Sequence, residues 1–542
     1  MKKIKKLNLF TILLIGVMFF GCSEELLDVD PVNEFLSENY YQTDEQVFAA
    51  LVAAYDPIGW TMAFGNWVSE VMFGEIRSDN ANAGGDTSDN DQPAWQEFDD
   101  FRNTNTNTVL QPMYRKNYIG IFRANLVIHK PQITSPAVDL YQAEAKFLRA
   151  YYHFELFKHF GPIPVVTEVL SPEDIDLQRS TLTEVFTTIE KDLLDAIEVL
   201  PLSVSSTEVG RATKSAAQAL LGKAYIYWAD FNDDNPQLFA NAAEQLRAVV
   251  QSDIFTLEDD FAQLFQYGVK NPSESVFEIQ KSSLWPSDWG WFEGIEGNGL
   301  IQLCGVRGLC EDHPDYQAGW GFMLPTEGLV NSFLPDDMYR LDAAVMSVEE
   351  ITDEISGVGS DCAVAIDLTQ SNPIDFTGYW QEKLGNFKQY EGTNVNGGDP
   401  NLTKDANIYS IRYADVLLML AEAIHRSNGS DSEAMGYIDQ VRERAYGPGD
   451  NQGVFRTSSQ LMSDLGWTLQ EVIWYERRAE FAMEGDRWFD LVRSGRASAQ
   501  LFEGDPIREA NFGENDLWLP ISLEETTVAK NLTEYPDASL FQ

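Results

Sequence analysis

Apolar positions recur along the chain at helical spacing, in separated pairs of segments. In "YADVLLMLAEAI", residues 413–424, Tyr413, Leu417, Leu420, Ala421 and Ile424 share one face. Ser430-x-x-Glu433 then reads as a capping box that opens a second helix, on which Ala434, Ile438, Val441 and Ala445 repeat the spacing. The design recurs upstream. Phe147, Tyr151 and Phe154 line a helix ended by Gly161-Pro162. Leu182, Phe186, Ile189, Leu193 and Ile197 line the next, capped by Thr181-x-x-Glu184 and stopped by Pro201. Another pair carries Ala216, Leu220, Ala224 and Tyr227, then Ala243, Leu246 and Val250. Small residues at Ala212, Ala216, Ala219 and Gly222 let its backbones approach closely. A first pair falls in residues 44–55 and 112–130.

Two antiparallel amphipathic helices in about 40 residues form the unit of a helical repeat array. The expected fold class is mainly α, a TPR-like array of about four helix pairs. The WxxLGxxY signature of tetratricopeptide repeats is missing, so paired periodicity alone carries that expectation. Residues 265–405 break the pattern and are rich in Gly, Pro, Asn and Trp, with short strand signals such as "SVFEIQ". A structureless loop of that length is improbable in a compact protein. It reads as a folded, irregular lobe inserted before the last pair, where a rigid scaffold would present binding loops. The expected divisions are 1–21, 22–35, 36–264 (pairs one to three), 265–405 (the lobe) and 406–542 (pair four and the terminal segment).

The first two divisions come from the amino terminus. Lysines at 2, 3, 5 and 6 precede an apolar run, Leu7 to Phe20, too short to span a bilayer and suited to a secretory signal peptide. Phe19-Phe20-Gly21-Cys22 resembles a bacterial lipobox, which makes Cys22 the lipidation residue and residues 22–35 a tether. Ser23-Glu24-Glu25 resembles the acidic export signal of Bacteroidetes lipoproteins. The remaining cysteines are Cys304, Cys310 and Cys362. Cys304 and Cys310 can pair across "CGVRGLC", leaving one odd thiol.

Charge narrows the partners. The 85 acidic against 38 basic residues give −47, about −51 once the four leading lysines are removed. Such a surface repels nucleic acid and, at long range, polyanionic ligands, although a local basic pocket can override that field. Aromatic content of 12% with 13 Trp suits a soluble face that holds something neutral.

Catalytic signals are weak. Glycosidases need two carboxylates roughly 5 to 10 Å apart, but among 85 acidic residues such a pair arises by chance. His153 and His159 lie six apart on a helix, off metal spacing. No GxSxG, HExxH or Walker loop occurs. The expectation is no enzyme, no resident cofactor and no metal, with calcium at "SDNANAGGDTSDND" as the minor alternative, since its acids depart from the EF-hand order. Glu476, Arg477, Arg478, Glu480, Glu484, Asp486 and Arg487 read as charges paired along a helix, with Trp488 and Phe489 packing it. Trp228, Trp474 and Trp518 read as core. Other tryptophans sit in Gly- and Pro-rich loops: Trp285, Trp289 and Trp291 in "SSLWPSDWGWFEGIEGNG", Trp320 in "YQAGWGF" and Trp95 in "DNDQPAWQEF". Flat rings without helical spacing suit the apolar faces of sugars, with Asp79, Asn80, Gln92 and Asn298 as hydrogen-bonding partners for hydroxyls. The bland alternative makes these rings the lobe's own core. Nearby charges are Asp288, Glu293, Glu296, Glu311, Asp312 and Asp315 against Arg307 alone, which disfavours an anionic sugar.

The chain resembles the RagB/SusD family of Bacteroidetes nutrient-uptake lipoproteins. The resemblance runs from "LLDVDP" behind the lipobox through "SDN" (78–80), "YRKNYIGIFRAN" (114–125), "AEAKFLRAYYHFELFKHFGPIPV" (143–165) and "RATKSAAQALLGKAYIY" (211–227). It continues in "RYADVLLMLAEA", "ERRAEFAMEGDRWFDLVRSG" (476–495) and "LWLPISLEE" (517–525). It implies four TPR-like pairs with an irregular lobe, no catalysis, and a lipid-anchored position on the outside of the outer membrane. It also implies partnership with a SusC-like TonB-dependent transporter. The expected ligand is a neutral polysaccharide or oligosaccharide, a β-1,3-linked laminarin or starch-type α-glucan ahead of alginate, pectin or sulfated galactan. The alternatives are peptide capture of the RagB type and, less favoured, a surface glycoside hydrolase.

Overall fold

The computed structural model describes residues 40–86, 90–284, 287, 289, 294–355, 376–390, 397–447 and 456–541. The expectations for the signal segment, Cys22, Trp285, Trp291 and Cys362 lie outside these residues.

Eight helices build the array: α1 (Asp44–Tyr55), α2 (Leu110–His129), α3 (Pro136–Phe160), α4 (Leu182–Val199), α5 (Lys214–Asp230), α6 (Pro236–Val250), α7 (Tyr413–Arg426) and α8 (Asp431–Ala445). Each packs against the next, so they form four successive helix pairs, mainly α and TPR-like as the periodicity predicts. Local chemistry sets the ends. Thr43 with Gln46 and Thr181 with Glu184 make reciprocal capping boxes, while Ser430 accepts from the Glu433 amide only. Pro236 occupies the first turn of α6, where its missing N–H costs nothing. On α5 a Cβ at Gly222 would lie 2.5 Å from the Leu246 side chain on α6, so glycine there sets how closely that pair approaches.

The charged run at 476–487 is structural, but not in the way its spacing suggests. The helix Leu469–Glu480 buries Glu476 and Glu480 completely, and their partners come from other elements. Arg340 and Arg442 each reach Glu476 at 2.6 Å, and Arg412 reaches Glu480 at 2.9 Å. Arg477 bridges Asp415 of α7 at 2.6 Å and Asp490 at 2.7 Å. These pairs bolt the last helices to the array instead of running along one helix surface. Trp488 and Phe489 are buried beside Phe101 and His159. His153 and His159 are core residues, and burial lowers both to about 3.

Between α6 and α7 the described residues hold only short helices and strands. Strand β1 (Met62–Ala63) pairs with β2 (Asn66–Trp67), and β3 (Ala81–Gly84) with β5 (Phe322–Pro325). Strand β4 (Ser275–Ile279) pairs with β8 (Ile408–Arg412), and β6 (Val345–Ser347) with β7 (Tyr379–Gln381), all antiparallel. The β3–β5 and β4–β8 ladders stitch this region to chain on both sides of it. It also has a small core of its own in Val306, Leu309, Leu324, Met346, Ile351 and Trp380. Cys304 is a free buried thiol and Cys310 is disulfide-bonded, so the two do not pair with each other. No helix among the described residues is long and apolar enough to cross a membrane.

Candidate functional site

The site starts from a hairpin. Met62 faces Trp67 and Ala63 faces Asn66, which leaves Phe64-Gly65 as a two-residue turn with both φ positive, 51° and 76°. That is the primed turn whose twist matches its strands. The turn delivers Trp67 to a buried position under two further indoles. Trp289 stands edge-on to it at 6.2 Å between ring centres, and Trp320 at 6.1 Å. Trp289 and Trp320 lie 5.8 Å from each other with their planes inclined by 34°.

Exposure divides the three rings. Trp67 is 4% exposed and forms a floor, Trp320 is half-buried, and Trp289 is 44% exposed. Trp289 is held in place by its indole N–H, which donates to Asp399; the Asp399 amide in turn donates to the Ser287 carbonyl at 2.9 Å. Trp320 is fixed through its backbone. Its amide donates to the Gln302 carbonyl at 3.0 Å, and Arg307 donates to its carbonyl at 2.8 Å. The glycine before it does more than leave the ring accessible: a Cβ at Gly319 would lie 2.3 Å from the Gly305 backbone. The result is a preorganised pair of rings on an open surface. The two ring planes are inclined to each other and not coplanar.

The electrostatics beside the rings are net acidic, one cation against three carboxylates. Arg307 pairs with Asp86 at 2.8 Å and Asp91 at 3.4 Å, so two carboxylates already engage the cation that would receive an anionic sugar. Asp399 adds a carboxylate that can accept from hydroxyls.

The structure brings Trp289 and Trp320 together and takes other predicted residues away. Trp95 is fully buried, 4.7 Å from Phe73 and 5.6 Å from Phe98, so it is core and not part of a binding surface. Asp79 is clamped by Arg487 at 2.7 and 2.9 Å and by Arg478 at 3.0 Å. Burial works to raise its carboxyl, but the two guanidiniums hold it well below the usual range. Asn80 is buried, donating to Glu75 at 2.9 Å and accepting from Arg478 at 3.1 Å. Asn298 is buried as a loop tie, donating to the Ala406 carbonyl at 3.0 Å and accepting from the Leu300 amide at 3.2 Å. Asn80 and Asn298 are thus closed off from any ligand by burial, and Asp79 is committed to two arginines. Gln92 is the left-handed N-cap of the helix Pro93–Asp99, half-buried, next in the chain to the Asp91 that pairs with Arg307. The "SDN" segment therefore serves as an internal clamp, and Asp86 and Asp91 answer an arginine.

Sequence reasoning missed Trp67. Its only local signal is the turn glycine Gly65 between two tryptophans in "IGWTMAFGNW".

Comparison with known proteins finds matches along most of the chain. Residues 26–226 match the family described as "Starch-binding associating with outer membrane", and residues 367–537 match the "SusD family". SusD-like protein P2 of Formosa agariphila is 26% identical over 98% of this chain and 99% of its own length. A solved structure described as a laminarin binding SusD-like protein is 28% identical, with a TM-score of 0.75 over 92% of this chain and 100% of that one. Surface glycan-binding protein A from Bacteroides thetaiotaomicron, solved with laminarihexaose, shares the fold with a TM-score of 0.76 at 23% identity, covering 90% of this chain and 98% of that one.

Proposed function

Since the chain belongs to the SusD/RagB family, we propose that it captures a neutral glucan at the Trp289–Trp320 pair and passes it to a SusC-like TonB-dependent transporter without cleaving it. The observation that carries this reading is the pair itself, exposed Trp289 and half-buried Trp320 braced on buried Trp67 beside an arginine already shared by two carboxylates. The 34° divergence favours a chain that curves, such as a β-1,3-glucan or an α-glucan, over a flat ribbon. The laminarin-binding relative supports the same ligand class.

Isothermal titration against laminarin, soluble starch and alginate tests the proposal. Laminarin or starch is expected to bind and alginate to be rejected. Trp289→Ala and Trp320→Ala are each expected to weaken binding by about 1 to 3 kcal/mol, roughly 5- to 150-fold, on the scale of a base stacked on an aromatic ring. Melting should change little for Trp289→Ala because that ring is already nearly half in water. Selective retention of alginate, or unchanged glucan affinity in both variants, would overturn the reading. New reducing ends after incubation with the bound glucan would make the protein a hydrolase instead.

In this reading Cys22 is the lipidated residue that holds the protein at the membrane. Acyl chains on that residue anchor strongly, each buried CH₂ contributing roughly 0.8 kcal/mol. Cys22→Ala is expected to move the protein from the membrane pellet to the soluble fraction, with its helical circular dichroism unchanged. Persistent pelleting in a strain that lacks the transporter would count against lipidation.

A further inference from the structure

A separate pocket, lined by other residues, is rich in arginine. A cavity of about 290 Å³ lies against the helix Leu469–Glu480, and three arginines line it: Arg478, Arg487 and Arg496. Two of them share one carboxylate, Asp79. Arg496 forms no ion pair among the described residues. Its Nε donates to the Ser494 hydroxyl at 2.7 Å, and its guanidinium lies 4.0 Å from the centre of the Trp474 ring. Glu471 at the rim is the sole acidic residue lining the cavity, and it is occupied at its own helix start, accepting from the Thr468 amide at 2.7 Å. The cavity lining thus carries three guanidiniums and one carboxylate, in a chain of net charge −47. The walls are aromatic as well. Trp467 and Trp474 are both half-buried there, and the Trp474 indole N–H is a buried donor that finds no acceptor.

We propose that this pocket is a second binding site, distinct from the Trp289–Trp320 pair, which takes a carboxylate-bearing sugar such as a uronic acid residue. Each feature matches a part of that ligand. A planar guanidinium donates two parallel hydrogen bonds to a carboxylate, and Arg496 has its two terminal nitrogens for this, its Nε being taken by Ser494. The half-exposed Trp467 ring offers a face for the pyranose. The volume is at the small end of ligand sites, sized for one sugar unit and roomy for a bare inorganic anion. Burial, reinforced by neighbouring Arg487, lowers Arg496 to about 9, so it remains cationic at neutral pH and an incoming anion would relieve the crowding of like charges. The site is independent of the neutral-glucan reading. The acidic surface repels polyanions at long range, while this pocket rewards a single carboxylate at short range.

The test is titration of the full mature chain with methyl glucuronide, methyl glucoside and sodium sulfate at low and physiological salt. Methyl glucuronide is expected to bind and to raise the melting temperature, methyl glucoside to bind at least about tenfold more weakly, and added salt to weaken the glucuronide. Arg496→Gln is expected to lower glucuronide affinity by about tenfold or more while laminarin binding stays unchanged. Trp467→Ala should weaken glucuronide without creating any preference for sulfate. Absence of glucuronide binding to the unmodified protein would overturn the proposal whatever the variants do. Glucuronide affinity that survives Arg496→Gln would overturn it too. Sulfate competing as strongly as glucuronide would overturn the sugar assignment, leaving an oxoanion site only.

Discussion

Glu480→Ala is expected to destabilise the fold by about 3 to 5 kcal/mol, the range found when one partner of a buried ion pair is removed and the other is left uncompensated. Glu480 has no solvent exposure, and its carboxylate is reached by Arg412 at 2.9 Å, Arg340 at 3.3 Å and closely by Arg444. Those arginines come from β8, from the lobe helix Met338–Ala344 and from α8, so one side chain joins the lobe to the last helix pair. Burial alone would raise the Glu480 carboxyl, but Arg444, Arg412 and Arg340 outweigh it and hold the group at about 2, below its ordinary 4.5. A depressed carboxylate contributes stability that is fully present above about pH 4.5 and is lost as the pH falls through 2. Glu422, also held at about 2 beside Arg493 and Arg426, reinforces that acid limb. Urea melts at pH 7 measure the first effect. The same melts repeated down to pH 3 should show the wild type losing stability more steeply than Glu480→Gln. A loss below about 1 kcal/mol in Glu480→Ala would mean that the three arginines re-pair with Glu274, Glu476 and Glu484 at little cost.

The array was legible because its signal is local. A 3.6-residue period and a cap three residues away are written within a single helix, so α4 begins at Leu182 behind Thr181 as its capping box requires. The charged helix shows where local reading stops. Its residues have the spacing of intrahelical pairs, yet burial gives them partners from β8, α7 and α8. The same limit governs Asp79, whose clamp Arg487 lies 408 positions along the chain. A short polar side chain in a loop reads identically whether it faces a ligand or an arginine inside. Trp67 escaped notice because two-residue strands are too short to show alternation, so its inward face left no periodic trace. Gly319 and Gly321 did mark a special segment, but their reason is contact with the Gly305 and Arg307 stretch, visible only in three dimensions. What the chain displayed clearly was the absence of period around Trp289 and Trp320, and that is where two rings reach the surface.

Trp95→Ala separates this core from that surface and is expected to cost about 3 to 5 kcal/mol while leaving glucan affinity unchanged. Polar neighbours in "DNDQPAWQEF" suggest an exposed loop, but Pro93 starts one short helix, Pro93–Asp99, that turns the indole inward. There it fills space between Phe73 and Phe98, and Asp99 at the end of the same helix accepts from the Ala83 amide at 2.6 Å. Removing the ring leaves a cavity that these aromatic neighbours and the clamped β3 strand close only in part. The indole N–H finds no acceptor, so Trp95→Phe removes a buried unsatisfied donor together with part of the ring volume. That variant is expected to cost much less, about 1 kcal/mol. Calorimetric melting and laminarin titration on the same two proteins distinguish the roles. If Trp95→Ala melted normally but lost laminarin affinity, Trp95 would belong to the binding surface and the division between core and platform drawn at Trp289 and Trp320 would fail.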